Sequence, residues 1–324
     1  MRKKTRAQAA HKPSRAPRVR EVSREDYLKV PKGYHALYRT TLGYAVVADS
    51  LAFMRDLGDE TVDLIMTSPP FALKRKKEYG NKDAREYASW FMPFAYEVHR
   101  ILKPTGSFVV DIGGTWNRGT PTRALYQYEL LIRLAERFQL AQEFFWHNPA
   151  KLPSPAEWVT VRRLRVTDAV NPIWWMSKTE WPKADNRRVL RPYSDSMKNL
   201  IQNGYKAKLR PSGHDISPKF QKDLGGSIPH NLLQISNTDS NSMYLRKCKD
   251  KGIKPHPARF PQALPEFFIK FLTDPGDLVV DPFAGSNVTG RAAEDLQRRW
   301  IAVELDTGYL EVSKFRFGPQ LSLI

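Results

Sequence analysis

One cysteine, Cys248, stands in 324 residues, so no intrachain disulfide framework is possible and a reducing compartment suits the chain. Cys248 sits in a polar, basic stretch, where an incidental thiol is expected and not a nucleophile. No apolar run approaches the length of a membrane span. The basic N-terminus is not followed by an apolar stretch, which excludes the pattern of a secretory signal. A cytoplasmic protein without membrane association is therefore expected. No G-x-G-x-x-G occurs, so a dinucleotide with its pyrophosphate is poorly served. No internal repeat is visible, and the pattern calls for no metal.

Acidic residues are the scarce charge. Asp and Glu number 34 against 52 Lys and Arg, giving a formal net charge of +18. Residues 1–20 hold eight of those cations and no acid, without periodicity. Such a segment cannot bury a core, and a basic disordered arm over residues 1–30 is expected, adding non-specific affinity only. The excess over the rest of the chain points to a polyanionic partner.

The apolar patterning reads as an α/β protein. Residues 34–49 alternate toward strands that end at Ala48-Asp49-Ser50, with Ser50 placed to cap a helix from Leu51 to Leu57. Thr61 to Met66 is a short β-branched run of buried-strand character. A helix from Tyr87 to Leu102, a turn at Pro104-Thr105-Gly106 and a strand from Gly106 to Asp111 follow. A helix over 124–138 and apolar runs at 144–147 and 173–176 come next. Between about 180 and 250 the periodicity fades into Pro, Ser, Asn, Gly and basic residues. That is too long for a structureless connection, so a small substrate-recognition domain is expected. A helix from Leu264 to Leu272, a strand from Leu278 to Val280, a helix from Asn287 to Leu296 and a strand from Trp300 to Leu305 close the chain.

Two stretches carry chemistry. The first is Thr67-Ser68-Pro69-Pro70-Phe71, a stiff loop at a strand's carboxyl end, where ligands bind in open α/β sheets. Its prolines donate no N–H, which leaves backbone carbonyls free as acceptors. The second is Asp281-Pro282-Phe283-Ala284-Gly285-Ser286-Asn287, a strand, a glycine turn and a helix start that admit close backbone approach to a ligand. Glu304 ends the next strand 23 residues after Asp281, the spacing at which a carboxylate accepts ribose hydroxyls.

With both stretches present, the chain resembles the amino-methyltransferases of DNA that use S-adenosylmethionine. Their catalytic motif is [DNS]-P-P-[YFW] and their cofactor motif is D-P-F-x-G-S-[GN]-T-T-like. The order here, catalytic motif first, is that of the β class. The stretches TSPPFALKRKKEYGN from Thr67, KLPSP from Lys151 and HPARFP from His256 are similar to the cytosine-N4 members of restriction-modification systems. The resemblance covers roughly residues 34 to 317. It implies a Rossmann-like methyltransferase sheet, circularly permuted, with the strand near Ala45 continuing from the C-terminal unit in space. It divides the chain into an arm over 1–30, a catalytic half over 31–180, a target-recognition region over 181–250 and a cofactor-binding half over 251–324.

The resemblance assigns the catalytic role to Ser68, Pro69, Pro70 and Phe71. It assigns cofactor binding to Asp49, Thr67, His256, Pro257, Ala258, Phe260, Asp281, Pro282, Phe283, Gly285, Ser286, Asn287 and Glu304. Asp281 is expected to hold the cofactor's amine, Glu304 its ribose, and Asp49 its adenine amine, although a lone Asp there also reads as a helix cap. Asn287 departs from the glycine that many relatives carry. The basic loop Lys74, Arg75, Lys76 and Lys77 is expected to contact DNA beside the target, with further contacts from Arg162 to Arg165 and the 180–250 region. Ser68 Oγ and the Pro69 carbonyl would take the hydrogens of a conjugated base amine and turn its lone pair toward the methyl donor, with Phe71 stacked on a flipped-out base. The Pro-Cys nucleophile that methylation of cytosine C5 requires is missing.

The implied partners are duplex DNA, with CAGCTG as the target, and a restriction endonuclease paired in function without a stable complex, the enzyme acting as a monomer. Adenine-N6 methylation is the same-class alternative. A basic nucleic-acid-binding protein with a dead cofactor site is the other, and a structured RNA substrate a third.

Overall fold

The computed structural model describes residues 28–72, 83–117, 119–204, 222–237 and 242–318. The strands are β1 (Ala36–Arg39), β2 (Gly43–Val47), β3 (Val62–Thr67), β4 (Leu102–Asp111), β5 (Gln139–His147), β6 (Val170–Ser177), β7 (Leu232–Gln234), β8 (Leu278–Asp281) and β9 (Arg299–Glu304). The helices are α1 (Ser50–Arg55), α2 (Tyr87–Ile101), α3 (Tyr126–Ala135), α4 (Asp195–Asn203), α5 (Met243–Asp250), α6 (Ala263–Leu272), α7 (Val288–Asp295) and α8 (Thr307–Ser313).

The nine strands among the described residues form one sheet in the order β1-β2-β9-β8-β3-β4-β6-β5-β7. From β2 to β4 the neighbours are parallel. The β1–β2, β4–β6 and β5–β6 pairs are antiparallel. The C-terminal strands β8 and β9 lie between β2 and β3. Ala45 pairs with Ala302, the adjacency expected from the sequence.

The central strands are apolar on both faces because both are covered. Every residue of β3 and of β8 is buried. Tyr44, Val46, Val280, Ile301 and Val303 face one core with Phe53, Phe91, Val98 and Leu130, from α1, α2 and α3. Ala45, Val279, Trp300 and Ala302 face the other with Phe268, Leu272, Ala292 and Leu310, from α6, α7 and α8. This period of two on each strand, sandwiched between two helix layers, is the doubly covered arrangement of a parallel sheet.

Two local expectations change. Pro104-Thr105-Gly106 is not a turn. The helix passes directly into β4 at Leu102, which pairs with Val62, while Ser107 pairs with Leu64, so the three residues form an irregularity inside the strand. Ser50 does not cap α1. Asp49 does, accepting from the Ala52 N–H at 2.8 Å, while the Ser50 hydroxyl reaches across to the Pro282 carbonyl.

The stretch 181–250 does not stand apart as one body with its own core among the described residues. β7 adds to β5, and α5 buries Tyr244 and Cys248 against Val312. The short 3-10 turn Asn186–Val189 and α4 bury nothing. Cys248 is buried there, not in the polar setting its sequence neighbours suggest, and burial raises its thiol pKa. No helix among the described residues is long and apolar enough to cross a membrane.

Candidate active site

Five parallel strands end on one side of the sheet, and the loops that follow them enclose a cavity of about 480 Å³. Asp49 follows β2, Ser68 to Phe71 follow β3, Asp111 closes β4, Pro282 to Ser286 follow β8, and Glu304 closes β9; all line it. His256, Pro257, Ala258, Arg259 and Phe260 complete one wall. The expected catalytic and cofactor stretches, more than 200 residues apart in the chain, therefore share one chamber.

At the catalytic end, the Ser68 hydroxyl donates to Asp111 Oδ2 at 3.1 Å. Asn171 Nδ2, on β6, approaches Asp111 Oδ1 at 3.4 Å. Burial pushes the Asp111 carboxyl up to about 7, with the Ser68 and Asn171 contacts and the Lys151 charge pulling the other way. Since Ser68 gives its proton to Asp111, both lone pairs of Oγ are available to hydrogens in the cavity. Phe71 packs against Gly113, where a Cβ would sit 2.4 Å from its ring. That glycine is needed for the close approach.

The other end is built on the turn after β8. Gly285 adopts φ +50°, and a Cβ there would come 3.1 Å from the His256 ring. Its N–H donates to Glu304 Oε2 at 2.7 Å, and the Asp306 N–H donates to Oε1 at 3.0 Å. The two bonds fix the carboxylate at the cavity wall. Burial raises the Glu304 pKa. Burial also pushes His256 down to about 4, so its ring is neutral at pH 7. Phe283 packs on Phe94 and Trp90, with centroids 5.1 and 6.0 Å away, giving an aromatic wall between the two ends.

Three of the expected cofactor contacts are not in the wall. Asp281 is buried beneath it. Its Oδ1 accepts from Thr67 Oγ1 at 2.7 Å and from the Phe283 N–H at 3.1 Å, and its Oδ2 accepts from Thr289 Oγ1 at 2.7 Å. Burial pushes its carboxyl up to about 6. This acid ties the ends of β3 and β8 to the start of α7, and both of its oxygens are taken by protein donors. Thr67, its partner, is likewise fully buried. Asn287 caps α7, accepting from the Gly290 N–H at 3.0 Å and donating to the Tyr38 hydroxyl at 2.9 Å. Its φ of +51° explains the glycine expected there, because Asn is among the few other residues that adopt this conformation readily.

Sequence reading missed Asp111, Asn171, Lys151, Trp90 and Phe94 as wall residues. Asp111 left a signal: a carboxylate that closes the apolar strand Phe108-Val109-Val110 must be buried at a cost unless it serves a partner. The others reach the cavity through tertiary packing alone. Lys74, Arg75, Lys76 and Lys77 lie outside the described residues, as do residues 1–27.

Residues 62–315 match a family model of N6/N4 methyltransferases described as DNA methylase. The type II methyltransferase M.PvuII of Proteus hauseri is 56% identical over 290 residues, 88% of this chain and 86% of that protein. The solved structure of the PvuII DNA methyltransferase, cytosine-N4-specific, superposes with a TM-score of 0.73 at 48% identity, covering 88% of this chain and 89% of the other. M1.HpyAVI in its S-adenosylmethionine complex shares the fold, with a TM-score of 0.51 at 20% identity over 86% of this chain and all of the other.

Proposed function

The chain belongs to the N6/N4 DNA methylase family, and on that premise we propose how it works: it transfers a methyl group from S-adenosylmethionine to the exocyclic N4 of a cytosine in duplex DNA. The observation that carries this reading is the Ser68–Asp111 pair in the same chamber as the Gly285–Glu304 turn.

S-adenosylmethionine fits that chamber. The fixed Glu304 carboxylate suits a ribose, the left-handed Gly285 lets the backbone come close, and the wall of Phe283, Phe94 and Trp90 suits a flat ring and a cation. Asp49 still faces the cavity, with one oxygen in its cap, and is placed to take an amine hydrogen. When bound, the cofactor supplies a methyl group on a sulfonium. Everything else falls to the chain's own residues.

The base amine is conjugated with its ring and is a poor nucleophile. Ser68 Oγ and the Pro69 carbonyl accept its two hydrogens, which favours a tetrahedral nitrogen with its lone pair turned to the methyl donor. The ionised Asp111 draws on the Ser68 proton and makes Oγ a stronger acceptor. The surplus proton of the methylated amine passes to Oγ as Oγ gives its own to Asp111. Phe71, held on Gly113, supplies a stacking face for the base. A paired base cannot reach this chamber, so the target leaves the stack.

Several finer points belong to the same reading. The target is CAGCTG, a cognate restriction endonuclease acts on the same site without a stable complex, and the enzyme works as a cytoplasmic monomer. Lys74 to Lys77 contact DNA beside the target, and parts of 181–250 read its sequence. We read the strand order as a circular permutation of the usual methyltransferase sheet. Methylation of a plasmid bearing CAGCTG, followed by nucleoside analysis, tests the substrate: N4-methylcytosine is expected, and N6-methyladenine alone would overturn the choice of base.

Glu304→Ala should weaken S-adenosylmethionine binding by roughly 1–3 kcal/mol, the range for a lost charge-assisted hydrogen bond. Calorimetry reads this directly, and an unchanged affinity removes Glu304 from the cofactor site.

A further inference from the structure

The loop between β5 and β6 is closed at its base by the Asn148 N–H to the Ala169 carbonyl at 2.9 Å. Asp168 accepts from Arg165 of the same loop at 2.9 Å and ties the loop to the body by pairing with Arg123 at 3.1 Å. Between these ties it presents four large apolar side chains to solvent: Leu152 is 79% exposed, Val161 69%, Leu164 61% and Val166 84%. Such a concentration on one anchored loop marks a surface that is covered in use. The same loop carries Lys151, Arg162, Arg163 and Arg165 against two carboxylates, Glu157 and Asp168, so it keeps a net positive charge, and what covers it is an anion with apolar surface between its charges. A duplex has that character: phosphates on its edges and base faces between them.

Position singles out one of the four. Lys151 lines the catalytic cavity, and Leu152, the next residue in the chain, is turned to solvent. Pro153 follows and restricts the backbone. A base that enters the cavity leaves a gap in the stack outside the cavity mouth. On the reading that the substrate is a flipped cytosine, we propose that Leu152 enters the duplex and fills this gap, with the neighbouring cations on the flanking phosphates. Its apolar side chain covers the two base faces that flipping exposes to water. Leu152 thereby stabilises the extrahelical state without touching the reacting amine.

The test compares two duplexes with wild type and Leu152→Ala. In one the target cytosine faces guanine; in the other it faces an abasic position, so that little pairing opposes its exit. Leu152→Ala should lower kcat/KM on the paired duplex by about tenfold or more, the scale set by burial of one leucine side chain. On the abasic duplex its rate should stay within about twofold of wild type, because flipping there is cheap. Leu152→Met, which restores apolar bulk, should recover most of the loss on the paired duplex. Loss of equal size on both duplexes would overturn the wedge and leave Leu152 a general DNA contact; no loss on either would overturn it outright. Failure of the wild type to form N4-methylcytosine on either duplex would instead overturn the substrate reading on which the wedge rests.

Discussion

Ser68→Ala should abolish most methyl transfer while leaving both ligands bound. Its hydroxyl lines the cavity and gives its proton to Asp111 at 3.1 Å, so its lone pairs are what the chamber offers an amine hydrogen. Removing it takes one acceptor from the transition state. By analogy with loss of one oxyanion-hole donor, the cost is about 2.7–4 kcal/mol, or 10²–10³ in rate. The Pro69 carbonyl survives the change, which is why the loss is not total. Single-turnover methylation with saturating cofactor isolates the chemical step, and cofactor affinity is measured in parallel. The cofactor turn at Gly285 and Glu304 does not touch Ser68, so its affinity should hold within error. Full activity in this variant would sink the mechanism.

The second large effect is that of Asp111→Asn. Asparagine keeps the size of the side chain but cannot accept the Ser68 proton with a charge, nor take up the surplus proton of the product. A positioned proton acceptor contributes typically 10²–10⁴-fold, and a fall in kcat of about that order is expected. Its pH dependence gives the sharper test. Burial raises the Asp111 pKa from 3.8 to about 7. Activity needs the ionised form, so kcat should rise through about pH 7 in the wild type. The Asn variant should lose that limb.

Stability runs the other way. A carboxyl whose folded pKa is raised binds more protons folded than unfolded, so its contribution falls as pH climbs from 3.8 toward about 7. The Asn variant escapes that fall and should gain on the wild type above pH 7 in a denaturation series. A wild-type rate that is flat between pH 6 and 8, together with an unimpaired Asn variant, would exclude Asp111 from the reaction.

The sequence by itself determined the fold class and most of the chamber. Short apolar strands alternating with helices required a parallel sheet covered on both faces, and strands such as Val62–Thr67 and Leu278–Asp281 are buried throughout, as their composition demanded. Ser68 to Phe71, Gly285 and Glu304 were legible because each stands at the carboxyl end of a strand, where local chain geometry alone fixes which way it faces.

What the tertiary structure decided concerns the carboxylates. Asp111, Asp281 and Glu304 close strands and Asp49 follows one, and nothing in the local sequence says which of them still has an oxygen to offer. Threonines from β3 and α7 satisfy both oxygens of Asp281 and make it a structural tie. Asp111 meets Ser68 from a neighbouring strand, with Asn171 beside it from an antiparallel one. Those partners lie between 8 and 214 residues away in the chain. A hydrogen-bond acceptor's free lone pairs are set by its neighbours in space, and only the folded sheet brings those neighbours to it.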